Sequence, residues 1–348
     1  MDEGGNASCG SSWDSLDSGG ILPPRARLGL IVPCYTPERF DDILRLLDSV
    51  ARQTSPVDEV VVVVQQSREL LELLRDRLER LTTVRARLLF LNIPPRVSMA
   101  RNYGVRKVES DIVAFVDDDS VLAEDWASMT QEFYRGRPDA IGAAGAILPL
   151  WDSPAMKWFP RELYWILSCT YWTWTSPTPV RNGYGANMSF RREAFDGGRS
   201  FNESFGISGW GSKGWQGMGG EEPELSMRVS AETGRPILYV PDIRAWHRVK
   251  SHRLTLRSIV RRAYWEGRLK AALSRNPTRP ANLLHTEWSL LRDMARAQFG
   301  RMRLLVSCPL VALRQELVVL LVVAVVFLGF VDGKLRGYRV DGVGDSAV

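Results

Sequence analysis

Cysteine is scarce in this chain of 348 residues, and the four present (Cys9, Cys34, Cys169 and Cys308) lie far apart with no CxxC spacing. That excludes a disulfide framework and a cysteine-built metal cluster, and it points to a reducing compartment with free thiols. Histidine is scarcer still, at three residues. No GxGxxG or P-loop glycine pattern follows the first apolar strand, which argues against a dinucleotide dehydrogenase and a P-loop nucleotidase. No secretory leader precedes that strand either. Residues 1–20 are rich in glycine and serine and carry four acids and no base, so a tail of about 25 residues is expected to remain disordered. No uninterrupted apolar run reaches the ~20 residues that cross a bilayer as a helix.

The residues that are present are those of an α/β protein. Apolar composition of 45% supports a real core, in one large α/β domain or two smaller ones. Strand-like runs at residues 28–32, 60–64 and 87–91 alternate with helix-periodic stretches at residues 40–52, 69–81 and 98–108. This alternation predicts a doubly wound, largely parallel sheet of nucleotide-binding type over the first ~125 residues.

The most informative run is the apolar stretch 112–116 followed by Asp117, Asp118 and Asp119. The apolar part reads as a buried parallel strand, so the carboxylates emerge at its C-terminal end, where α/β folds bind ligands. Three carboxylates there need an offset to their mutual repulsion, and a divalent cation such as Mg²⁺ or Mn²⁺ carrying phosphate oxygens supplies one. The plainer reading is a helix N-cap, since residues 120–129 look helical; a cap needs only one aspartate.

The second half changes character. Residues 151–174 hold five of the twelve tryptophans, suited to stacking on sugar rings, to core packing or to an interfacial belt. Residues 205–220 are too glycine-rich for a packed element and read as a lid carrying Trp210 and Trp215, or as a disordered loop. Glu221 and Glu222 follow at a loop-to-helix junction; adjacent carboxylates there suit a general base or simple capping acids. A last strand is expected at residues 237–240, with His247 just beyond it as a possible metal or phosphate ligand.

The net charge of +5 is unevenly placed, because residues 250–303 carry thirteen Lys/Arg against three acids. There, Arg257, Arg261, Arg262 and Arg268 interleave with Leu256, Ile259, Val260, Tyr264, Trp265 and Leu269 at helical spacing. That is the pattern of a basic amphipathic helix on an anionic lipid surface, or of an ordinary helix packed on the domain. A nucleic-acid partner is not expected, since the basic region has no recognised fold for one. Two apolar runs follow, at residues 304–313 and 317–331, split by Arg314-Gln315-Glu316. They predict membrane association as an in-plane, re-entrant or tilted segment.

Taken in order, these pieces resemble the family 2 glycosyltransferases of GT-A fold. The matching stretches are residues 31–35, 59–67, 98–104, 111–119, 185–192, 220–225 and 246–247. Residues 261–267 look like members acting on polyprenyl- or dolichyl-linked sugars. The resemblance implies a GT-A domain over residues 26–250, with a nucleotide-sugar half at 26–125 and an acceptor half at 126–250. A basic helical region at 251–303, an apolar segment at 304–332 and a tail at 333–348 would follow. It implies that Asp119 and Asp117, with His247, hold Mn²⁺ or Mg²⁺. Pro33, Tyr35, Gln65, Arg101, Asp117 and Asp118 would contact the donor, favoured as a UDP-sugar. Glu222, with Glu221 as rival, would be the catalytic base, and Asn187, Trp210 and Trp215 would face the acceptor.

Two positions depart from the family pattern: Gln65-Gln66 stands where an acid commonly contacts the base, and Glu222 stands for the usual Asp. No Gln-x-x-Arg-Trp motif follows, which argues against a processive synthase. The implied activity is an inverting, metal-dependent transfer of one sugar from a nucleotide donor to a lipid-linked or membrane-presented glycan, at the cytoplasmic face of the cell membrane. The alternatives are a polyprenyl-phosphate monosaccharide synthase and an inactive nucleotide-sugar-binding membrane protein.

Overall fold

Valines at five consecutive positions, 60–64, leave no polar face, so the strand that contains them has to be covered on both sides. That strand is β2 of a sheet whose first half runs β1 (Leu28–Cys34), α1 (Phe40–Ala51), β2 (Glu59–Gln65), α2 (Arg68–Glu79), β3 (Arg85–Leu91), α3 (Val97–Val105) and β4 (Ile112–Phe115). The structure, a computed structural model, describes residues 25–80, 84–203, 219–274 and 285–336. β1 pairs in parallel with both β2 and β4, and β2 with β3, giving the parallel, doubly wound order β3-β2-β1-β4 that the alternation predicts.

The second half continues the sheet with mixed polarity. It comprises β5 (Ser120–Leu122), α4 (Trp126–Gly136), β6 (Gly142–Trp151), β7 (Thr178–Val180), β8 (Met188–Arg191), α5 (Glu221–Thr233) and β9 (Ile237–Val249). β8 lies antiparallel between β4 and β6, while β9 runs parallel to β6 and antiparallel to β5 and β7. One apolar layer packs α1, α2 and α4 on one face of the sheet, and a second packs α3 and α5 on the other.

Three sequence expectations are corrected here. The helix expected over residues 120–129 begins only at Trp126, because residues 120–122 pair as β5 with His247, Trp246 and Ala245 of β9. The aspartates therefore cap no helix at Ser120. The strand expected to stop at Val240 continues to Val249: the register jumps between Gly145 and Ala146, so that Pro241, Asp242 and Ile243 bulge out and pairing resumes at Arg244. His247 thus sits inside a strand rather than beyond one. β6 escaped prediction because its opening residues, Gly142 to Ala146, are glycine and alanine, which leave little periodic signal.

Three further α-helices follow among the described residues: α6 (Leu256–Leu273), α7 (His285–Ser307) and α8 (Pro309–Arg336). α8 is a single helix passing straight through the triplet expected to split it. Arg314 stacks on Trp158 at 3.6 Å, Gln315 donates to Trp158 O at 2.7 Å, and Glu316 pairs with Arg301 at 2.9 Å. At 28 residues it is long and apolar enough to cross a membrane, and much of its apolar surface is exposed, including Leu310, Leu313, Leu317, Leu320 and Phe327. α6 packs on the domain: Ile259 and Ala263 join an apolar cluster with Ile147, Phe159, Leu163 and Val318, Val319 and Val322 of α8. That cluster packs across residue 250.

α6 and α8 run in the same direction at backbone contact. A Cβ on Gly267 would lie 2.1 Å from Val326 O, one on Gly329 2.1 Å from Tyr264 O, and one on Gly333 2.8 Å from the Ala271 side chain. Only glycine fits such a crossing. Gly329→Leu is therefore expected to force the helices apart and to lower stability by about 2 kcal/mol, read as a fall in Tm in detergent; an unchanged Tm would show the crossing to be looser than drawn.

Candidate active site

β4 ends at Phe115 beside the C-terminal end of β1, and the backbone delivers Asp117, Asp118 and Asp119 into the crevice where the parallel half of the sheet meets the mixed half. The pairing of Ser120 with His247 then lays the imidazole against the aspartates, with Nε2 3.2 Å from Asp119 Oδ1. One ligand atom from each of Asp117, Asp119 and His247 fits within a span of 4.8 Å. Buried atoms Asp118 Oδ2, Asp119 Oδ1 and His247 Nδ1 find no hydrogen bond among the described residues. The two carboxylates and imidazole of Asp117, Asp119 and His247, the last two each keeping an unpartnered buried atom, match the donor preference of a divalent cation such as Mg²⁺ or Mn²⁺. The residues present fit that group.

Two arginines, Arg101 buried and Arg39 half-buried, organise the carboxylates. Arg39 hydrogen-bonds Asp118 and lies 3.2 Å from Asp119. Burial pushes the Asp118 carboxyl up to about 7 despite Arg39, whereas His247 and Arg39 outweigh burial at Asp119 and hold it well below the usual carboxylate range. Arg101 from α3 reaches three acids: Asp117 at 3.2 Å, Glu221 at 3.2 Å and Glu222 at 3.0 Å. Burial alone would lower its pKa, but Glu222, Asp117 and Glu221 raise it above the ordinary range. The guanidinium passes so near the backbone of Gly185 that a Cβ there would sit 1.8 Å from Arg101 Nη2.

The two glutamates at the start of α5 are not equivalent. Glu221 is the more buried, accepts from its neighbour's Gly220 N–H at 3.0 Å, and is pushed up to about 8 by burial and by Glu222. Glu222 is 18% exposed and faces the same cavity as the aspartates.

That cavity has a volume of about 550 Å³. Pro33, Tyr35 and Gln65 line it; Gln65 is buried, with Nε2 finding no partner among the described residues. Trp165, Trp172 and Tyr184 also line it, and α6 and α8 contribute Trp265, Leu269, Val323 and Phe327 to its wall. The aromatic stretch is core and cavity wall at once, with Trp172 stacked on Trp174 at 5.4 Å and edge-on to Tyr239 at 4.8 Å.

The structure therefore brings Pro33, Tyr35, Gln65, Arg101, Asp117, Asp118, Asp119, His247, Glu221 and Glu222 to one cavity. Asn187 departs from expectation. It is buried, its amide donates to Ala146 O at 3.0 Å and Ile243 O at 2.9 Å, and its Oδ1 accepts from Trp126 Nε1 at 2.8 Å. Fully engaged in fastening the β9 bulge, it has no atom to offer an acceptor. Trp210 and Trp215 lie outside the described residues. Arg39, Arg253 and Arg262 line the cavity without having been singled out as site residues, since each follows an ordinary helical or loop pattern; only the basic run from residue 250 hinted at the last two.

Residues 30–198 match the model of the family described as Glycosyl transferase family 2. A glucosyl-dolichyl phosphate glucuronosyltransferase of Haloferax volcanii is 28% identical over 320 residues, covering 89% of this chain and 96% of the relative. The succinoglycan biosynthesis protein ExoM of Rhizobium meliloti is 25% identical over 254 residues, covering 71% and 74%. Among solved structures, the mannosyltransferase PcManGT of Pyrobaculum calidifontis, in complex with GDP-Man and Mn²⁺, superposes with a TM-score of 0.61 at 17% identity over 92% of this chain and 91% of its own. GalNAc-T7 with UDP, GalNAc and Mn²⁺ gives 0.50 at 12% identity over 77% and 55%. The fold is of GT-A type.

Proposed function

As a glycosyltransferase built around a family 2 domain, this chain, we propose, moves one sugar with inversion from a UDP-sugar to a hydroxyl of a lipid-linked glycan held at a membrane. The observation that carries this reading is a single cavity in which the Asp117, Asp119 and His247 donor set faces Glu222, with Arg101 in contact with both sides. The similarity to a relative named for transfer to a glucosyl-dolichyl phosphate supports the lipid-linked acceptor, and the exposed apolar length of α8 supports the membrane. The cytoplasmic face is the side we assign, in keeping with the free thiols Cys34, Cys169 and Cys308.

Each residue has a role in this reading. Pro33 and Tyr35 enclose the base, and the Gln65 amide, able to donate and accept together, suits the paired donor and acceptor edge of uracil. Asp117, Asp119 and His247 hold a divalent ion, with Asp118 fixed by Arg39 behind them. When bound, that ion stabilises charge on the departing diphosphate as a Lewis acid. Arg101 positions Glu222, whose carboxylate removes the proton from the acceptor hydroxyl. The new bond forms between that oxygen and the anomeric carbon as the bond to the diphosphate breaks on the opposite face, so the configuration inverts. Glu221 is too enclosed to meet the acceptor and braces the helix start.

The test is a titration of the detergent-purified chain with UDP-, GDP- and dTDP-sugars, with and without Mn²⁺, followed by melting, because a ligand of the native state raises Tm. We expect a Mn²⁺-dependent rise of several degrees with UDP-sugars alone. A rise with GDP- or dTDP-sugars instead would reject UDP as the donor's nucleotide, and a rise indifferent to Mn²⁺ would reject the ion site.

A further inference from the structure

We infer that Arg262 and Arg253 form a subsite for a phosphodiester anion, seating the phosphate that joins the acceptor's sugar to its lipid; this rests on the lipid-linked reading above. Both side chains line the active-site cavity and are held beside each other by one turn, Arg253 Nη1 donating to Leu167 O at 3.4 Å and Arg262 Nη2 to Ser168 Oγ at 3.4 Å. Ser168 adopts a left-handed conformation with φ 59°, a geometry that costs a non-glycine residue on the order of 1 kcal/mol and tends to be kept where a site needs it.

The cavity is graded along its length. At one end are the aspartates and His247, with Arg253 Nη2 3.8 Å from Asp119 Oδ2. Arg262 comes next on the cavity face of α6, followed by Trp265 and Leu269 one and two turns on, about 10 Å farther by helix rise. Val323 and Phe327 of α8, both exposed, continue the apolar wall toward the surface that faces lipid in our reading. The Glu266 and Lys270 pair, 3.7 Å apart, marks the polar flank of that passage. Polar site, cationic neck and apolar wall in series match an amphiphile whose sugar, phosphate and hydrocarbon follow in the same order.

The electrostatics agree. Arg39 and Arg101 sit beside carboxylates that raise their pKa, whereas burial pulls Arg262 below the usual arginine range even with Glu266 and Glu222 nearby. A guanidinium keeps its charge regardless, so an anion entering this neck gains a charge-assisted, bidentate partner.

The experiment compares two acceptors of equal chain length, a glycosyl phosphate ester of a short isoprenol and the uncharged isoprenyl glycoside of the same sugar, on the full chain in detergent. For wild type the phosphate acceptor should have the higher kcat/KM. Arg262→Gln should raise KM for it at least tenfold, change the uncharged acceptor less than twofold, and leave the UDP-sugar KM and the donor-induced Tm rise unaltered. Arg262→Lys should recover part of the loss. An equal loss on both acceptors would show a structural role and overturn the subsite, as would an unchanged preference. A raised donor KM with preference retained would assign the cations to the donor diphosphate. Should wild type glycosylate neither acceptor while still binding donor, the lipid-linked reading itself falls, and the subsite with it.

Discussion

Asp119→Asn is expected to lower turnover by on the order of a thousandfold and to abolish the Mn²⁺-dependent part of the donor-induced Tm rise. The substitution keeps the shape of the side chain but removes a charge on which Arg39, His247 and Arg253 all converge, at 3.2, 3.2 and 3.8 Å. Arg39 and Arg253 would also lose an ion-pair partner, so the apo variant should melt earlier than wild type. Circular dichroism before and after ligand addition separates the two effects: native ellipticity with no turnover assigns the loss to the site. Turnover within tenfold of wild type would take Asp119 out of the ion-holding set and leave Asp117 and His247 too few to form one.

The second large effect is expected at Glu222. Glu222→Gln should reduce transfer to a hydroxyl acceptor by about a thousandfold, the scale of a lost general base, while the donor still binds. Glu221→Gln should cost less than about tenfold, because burial and Glu222 push the Glu221 carboxyl up to about 8 and a neutral amide oxygen accepts the Gly220 N–H much as a protonated carboxyl does. The pair also decides between acceptor chemistries. A phosphate acceptor has no proton to lose, so an enzyme making a polyprenyl-phosphate sugar would tolerate Glu222→Gln. Equal and severe losses in both variants would instead mean that Arg101 needs the two carboxylates together, and the division of labour proposed here would fail.

The parallel half of the sheet was legible because its signals are local: valine runs without a polar face for strands, and a 3.6-residue period in α1 and α2. The aspartates could be placed at a strand's C-terminal end by the same logic. What eluded the sequence depends on pairing between distant segments. Ser120 joins a sheet because His247 lies opposite, and no window around Ser120 contains that information. β9 crosses a proline by a bulge whose partner is Gly145, nearly a hundred residues earlier. Asn187 was read as a substrate contact because it stands in a motif shared with a family, yet its three hydrogen bonds show a polar residue whose constraint is packing. Arg39 and Arg262 were overlooked because a site arginine and a surface arginine look alike until the carboxylates or cavity around them are known.

In the proposed membrane setting, the turn between β9 and α6 sets how far from a lipid surface the reaction takes place. His247 lies two residues before the end of β9, and only the short turn Ser251–Leu254 separates that strand from a helix locked by its glycines against α8. No long linker intervenes, so the site residues and the apolar helix are tied closely together along the chain. With α8 in lipid, as proposed, a hydroxyl carried one sugar above an anchored phosphate would fall within reach and one carried on a long glycan would stand too high. On that reading, covalent geometry gives the chain a working height, and with it a gauge of how much glycan its acceptor already bears.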